Sequence, residues 1–198
     1  MMLDEIRERQ RLRISAGKKV WERLEIQTID AENMEGIPDT STSHVLAGYL
    51  MYGVSDYKKL LSEAKRTMTP DGVFGYSVNT VAPWVTILRQ VSNVRPDKIA
   101  PYPPAEWHTQ ESNTKVMEDA GFQDIKTKEV GIDMWYNSYE GVVDYLLDMM
   151  PFMPMLLAGM TEEEIAKFRD LMIEQLKSES PTLPGKFAGR AMLVTARK

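Results

Sequence analysis

Five of the fourteen methionines, Met149, Met150, Met153, Met155 and Met160, fall within twelve residues around Phe152. Flexible, polarisable thioethers beside an aromatic ring make an adaptable apolar surface that can close round a greasy ligand. The same spacing also serves a packed helix corner or a dimer surface. His108 adjoins Trp107, and an imidazole there could move protons near neutral pH or sit at the surface beside the start of a helix. Asp133 stands two residues before Trp135, where a carboxylate at the end of a strand could face a cavity, although such groups are more often solvated. Glu106 and Tyr76 are the further polar candidates, and His44 reads as structural. The chain has no Cys, which removes thiolate nucleophiles, disulfides and cysteine zinc sites together. No His-x-x-x-His, paired-carboxylate or Ser-His-Asp order can be traced, so no metal site is expected.

These residues need elements to position them. Leu3, Ile6, Leu12, Val20 and Trp21 stand at loose helical spacing, weakened by Gly17, whereas Leu24 to Ile29 alternates like a half-buried strand. Val45 to Met51 is a nearly continuous apolar run, as in a strand buried on both faces. Ser55 is placed to cap a helix with Tyr57, Leu60, Leu61, Ala64 and Met68 on one stripe, and Pro70-Asp71-Gly72 turns the chain into a strand over 73–78. Pro83 opens another helix, and a proline-rich loop runs from Val94 to Trp107. Ser112 or Asn113 caps a short helix that Gly121 stops, and Ile125 to Met134 alternates as a strand. Ser138 caps a helix that Pro151 ends, Thr161 with Glu164 forms a capping box, and Ala191 to Ala196 is the last strand.

At 198 residues with 43% hydrophobic content, one domain over 1–198 with a real core is the default. A net charge of -5 argues against general nucleic-acid affinity. The seven basic and four acidic residues of 1–23 are interspersed as on a solvated helix. No signal-peptide pattern and no apolar run of about 18 residues occurs, so a cytoplasmic protein without a membrane span is expected.

Three soft motifs, in order, carry a resemblance: Asp30-Ala31-Glu32 after the first alternating strand, Arg66-Thr67-Met68-Thr69-Pro70-Asp71-Gly72 at the end of a helix, and Ala120-Gly121-Phe122. Their arrangement resembles the small-molecule branch of the class I S-adenosylmethionine-dependent methyltransferase family. The resemblance implies an α/β fold with an incomplete Rossmann-like sheet of about five strands. These would be mostly parallel with an antiparallel C-terminal strand, flanked by helices, and a helical Met-rich insertion would precede the last strand. The family's strand order is three-two-one-four-five-seven-six, and the chain begins just ahead of strand three. Strands one and two, with the glycine loop and the ribose acid, would then be missing, and a shifted strand or a second copy of the chain would fill the gap. A homodimer is the expectation.

By the same resemblance, Asp30 and Ala31 would meet the adenine if S-adenosylmethionine binds. The glycines form no Gly-x-Gly pattern, so the expectation is that no cofactor is used. The acceptor side would be lined by Tyr49, Tyr52, Tyr76, Trp84, Trp107, Trp135 and Tyr136, with Met150, Phe152 and Met153 from the insertion. Catalytic candidates are His108, Tyr76 and Asp133. Three functions follow. One is a small-molecule enzyme on this fold that cyclises, rearranges or eliminates a hydrophobic metabolite without the cofactor. The others are a genuine methyltransferase completed by a partner or dimer, and a non-catalytic regulatory partner of an intact relative.

Overall fold

The computed structural model describes residues 2–198. In chain order the elements are α1 (Met2–Ser15), β1 (Thr42–Gly48), α2 (Tyr57–Thr67), β2 (Met68–Val81), α3 (Pro83–Leu88), α4 (Val91–Val94) and α5 (Gln110–Asp119), then β3 (Gln123–Tyr136), α6 (Tyr139–Met149), α7 (Met153–Leu157), α8 (Glu162–Glu179) and β4 (Gly185–Arg197). Small polar residues set the helix starts. Ser138 accepts from the Gly141 N–H, and Thr161 and Glu164 bond each other's backbone as the capping box requires. Asp56, not Ser55, caps α2, because its carboxylate accepts from the Lys58 and Lys59 N–H groups. Thr109, not Ser112 or Asn113, caps α5; Ser112 lies one turn inside and its hydroxyl returns to the Thr109 carbonyl.

The sheet order is β1-β2-β4-β3. β1 and β2 run parallel, while β4 pairs antiparallel with both β2 and β3. The α/β class matches the expectation, but among the described residues the sheet has four strands rather than about five, and a single parallel pair. Leu24–Ile29 joins no ladder. The Leu24 carbonyl instead accepts from the Gln10 side chain of α1, which also holds the Trp21 carbonyl. α1 itself ends at Ser15, and Gly17 follows in the left-handed region (φ 76°). β1 is likewise not buried on both faces: Leu46 is 78% exposed while its neighbour Ala47 is buried.

Period-two alternation separates two hydrophobic clusters. Phe74, Tyr76 and Val78 of β2 and Met192, Val194 and Ala196 of β4 pack against Leu60, Leu61 and Ala64 of α2 and Met117 of α5. Phe187 has the opposite parity on β4 and points to the other face. There it joins Tyr136 and the apolar stripes of α3, α4, α6, α7 and α8. Toward the β1 edge of the sheet that second face is open: Leu46 is exposed, and Leu193 of β4 is 41% exposed.

β4 also requires a glycine where α3 crosses it. A Cβ on Gly189 would lie 2.9 Å from Trp84 Cζ3 and 3.0 Å from the Val81 carbonyl oxygen. Gly189→Ala should therefore cost about 1–3 kcal/mol of stability in urea unfolding through overpacking. Gly131→Ala on β3, where a Cβ would meet nothing within 4 Å, should change it by no more than about 0.5 kcal/mol.

Candidate functional site

Parallel β1 and β2 end on the same side of the sheet, and in open α/β sheets ligands bind outside such carboxyl ends. Three segments converge there: the loop after β1, the start of α3, and the proline-rich stretch before α5. Tyr49 follows β1 in the left-handed region (φ 54°) and is 43% exposed. Its N–H is held by the Ser77 carbonyl at 3.0 Å and by Ser77 Oγ at 3.2 Å. A bulky residue keeps that conformation only where its surroundings impose it. The loop then brings Tyr52 over the end of β2, where its hydroxyl accepts from Asn79 Nδ2 at 2.8 Å. Burial pushes the Tyr52 phenol up.

Beneath this end lies a buried polar knot. Trp107 sits edge-on to Tyr57 at 5.0 Å and to Tyr76 at 6.2 Å between ring centroids. The Tyr76 hydroxyl donates to Asn113 Oδ1 at 2.8 Å. Asn113 Nδ2 in turn donates to the carbonyls of Trp107 at 3.0 Å and Thr109 at 2.7 Å. Burial raises the Tyr76 phenol well above the ordinary tyrosine value, so it stays a neutral donor.

His108 is half-buried, with Nε2 2.8 Å from the Pro103 carbonyl oxygen. A carbonyl can only accept, so Nε2 carries the proton and Nδ1 of the neutral ring keeps a lone pair. The Tyr102 ring stands edge-on at 5.7 Å. Its hydroxyl lies 3.4 Å from the Ala82 N–H, and the Arg89 guanidinium 5.1 Å from its ring centroid.

Tyr49, Tyr52, Tyr76, Trp107 and His108 thus gather at one end of the sheet. The other candidates lie apart. Trp84, although at the start of α3, turns its ring away onto Gly189 and the second cluster. Asp133 and Trp135 are on the part of the antiparallel β3–β4 ladder that runs past the end of β2. There Asp133 pairs with Lys186 at 3.2 Å, and the same ammonium lies 5.2 Å from the Trp135 ring centroid. Trp135 lines a groove of about 430 Å³ with Met134, Tyr136, Gly141 and Tyr145. Met153 is buried in the second cluster with Met150 and Phe152 packed against it, while Met155 is exposed. Asn79, Tyr102 and Asn113 are site residues that sequence reasoning misses. The signal for Asn79 is a polar pair, Asn79-Thr80, closing the apolar strand.

Asp30 is exposed, and its Oδ1 accepts from the Glu32 N–H at 2.9 Å within its own turn. Ala31 packs against the first cluster. Glu32 accepts from the Ser55 and Asp56 N–H groups, fixing this turn beside the loop after β1. Arg66 ties down the following segment through the carbonyls of Met34 and Ile37 and the carboxylates of Asp39 and Glu63. For a nucleoside-sulfonium cofactor these residues fit at most the adenine end. Gly48, at the end of β1, has open space where a Cβ would be. The glycines form no Gly-x-Gly pattern, so the described residues offer no glycine cradle of the usual kind for the ribose and methionine parts. Among the described residues no group of three or more His, Asp or Glu could hold a metal, and no helix is long and apolar enough to cross a membrane.

No protein-family model matches the chain. The methyltransferase ucsB of Acremonium sp is 33% identical over 173 residues, 87% of this chain and 60% of that protein. The chain thus spans three fifths of that relative's length. A proposed methyltransferase of Bacillus halodurans C-125 superposes with TM-score 0.52 at 16% identity, covering 89% of this chain and 78% of that one. The YcgJ protein of Bacillus subtilis does so with TM-score 0.52 at 15% identity, covering 92% and 74%.

Two measurements check this site. Asn113→Ala strands the Tyr76 hydroxyl and frees the Trp107 carbonyl, and should lower stability by about 2–4 kcal/mol with a red shift of Trp emission. The hydrogen bond from Arg66 holds the Glu63 carboxyl below the ordinary glutamate value. Its stabilisation is complete above that value and is lost as pH falls through the lowered one. Glu63→Gln should therefore flatten the acid limb of a stability-pH profile.

Proposed function

We propose that the chain, 33% identical to a methyltransferase over 87% of its length and methyltransferase-like in fold, is a member of the class I S-adenosylmethionine-dependent methyltransferase family that works at the acceptor end of that fold. As one methyltransferase-like domain over 1–198, it would hold a hydrophobic small molecule at the carboxyl ends of β1 and β2. It would cyclise, rearrange or eliminate within that molecule without drawing on S-adenosylmethionine. One contrast carries this reading: Asp30 Oδ1 is taken up within its own turn, while the acceptor end presents Tyr49, Tyr52 and His108 above the buried Trp107. His108 Nδ1 would take a proton from an acidic carbon beside a substrate carbonyl. The electron pair left behind would close a ring or expel a leaving group, and the imidazolium would return the proton. Aromatic faces would restrict the substrate to the reactive orientation.

A second reading is methyl transfer, with the ribose and methionine ends of the cofactor held by a polypeptide seated along β1, a second copy of the chain included. The free edge of β1 and the exposed Leu46 beside it favour this reading. Isothermal calorimetry of the purified chain with S-adenosylmethionine and S-adenosylhomocysteine tests the first reading. No heat is expected, and a micromolar Kd for a species that light scattering shows to be monomeric would overturn it. The same Kd confined to a dimer would establish the second.

A further inference from the structure

We infer that Asn79 and Tyr52 are the polar pair that orients the ligand, recognising a carbonyl flanked by an N–H or O–H donor, as in a lactam. This rests on the acceptor-end reading above and gives it a substrate chemistry.

Asn79 closes the apolar part of β2 and is 8% exposed. Its Nδ2 donates to the Tyr52 hydroxyl at 2.8 Å, which leaves that hydroxyl's own hydrogen to point elsewhere. No hydrogen bond among the described residues uses it. Asn79 Oδ1 is buried and has no partner. A buried carbonyl without a donor is destabilising, and native proteins rarely keep one without a reason. The pair therefore holds one unused donor, the Tyr52 O–H, and one unused acceptor, Asn79 Oδ1. A group with an acceptor and a donor side by side satisfies both.

The backbone supports this placement. Ser77, two residues before Asn79, holds the Tyr49 N–H with both its carbonyl and its hydroxyl. That contact fixes the left-handed turn which returns Tyr52 over the strand end. Burial keeps the Tyr52 phenol protonated across the neutral range, so it acts as a donor. Tyr52 would polarise the ligand carbonyl, and Asn79 would select for the neighbouring N–H or O–H.

The test is an NMR titration of the whole ¹⁵N-labelled chain with quinolin-2-one, a flat neutral lactam, and with N-methylquinolin-2-one, whose donor is blocked. Quinolin-2-one should shift the amides of Tyr49–Gly53 and the Asn79 side-chain amide, and should bind about tenfold more tightly than its N-methyl analogue. Tyr52→Phe should weaken quinolin-2-one about tenfold with little change in Tm. Asn79→Leu should abolish the preference between the two compounds while leaving Tm equal or higher, because it removes the orphan oxygen. If Asn79→Leu does not fold, Tyr52→Phe decides. Shifts over Tyr49–Gly53 with affinities that neither substitution alters would overturn this assignment and leave the proposed function standing. No shift at Tyr49–Gly53 or Asn79 in the unmodified chain would overturn both.

Discussion

Strand β4 bears the constraint on which the rest depends, because its alternation divides one ribbon between two cores. Met192, Val194 and Ala196 lie under α2 and α5, whereas Phe187 faces the helices that follow β2 and β3. A slip of one residue against β2 would turn both sets to the wrong side at once. Register is thus fixed twice over along a strand that antiparallel neighbours flank on both sides. The carboxyl end of β2, where the candidate site gathers, lies between the two cores.

That position explains the chemistry of the site residues. A strand end between packed layers is half-dry, so polar side chains there are buried deeply enough to need partners and open enough to offer some to a ligand. Asn113 satisfies every bond it can reach and fixes Trp107 and Tyr76. Asn79 does not. Two asparagines near one strand end therefore play opposite parts: one locks the scaffold and the other leaves a bond open.

Local signals are legible in the sequence and long-range ones less so. The capping box at Thr161, the Ser138 cap and the Gly121 stop are set within one helical turn, and each stands as expected. Leu24–Ile29 alternates like a strand, but a strand exists only with a neighbour to bond, and Gln10 takes the Leu24 carbonyl instead. Val45–Met51 looks doubly buried because apolarity alone does not say which layers are present to cover it. For the site, residue types draw attention to His108, Trp107 and Tyr52. Asn79 and Asn113 escape notice because their importance lies in partners 27 and 37 residues away along the chain. Of the methionine stretch, Met153 is buried in the second cluster with Met150, Phe152 and Met160 packed against it, whereas Met149 and Met155 are exposed.

The division of the hydrophobic residues into two clusters also bears on how the molecule breathes. Layers that meet through a shared ribbon rather than through a common interior can loosen separately, since losing contacts in one removes few from the other. The helical layer, with the short α3, α4 and α7, can fray from the Phe187 end while the hydrogen-bonded ladder between β2 and β4 persists. Slow amide exchange would then concentrate along that ladder, and a bulky guest could enter at the strand end through a partial opening that leaves the sheet whole.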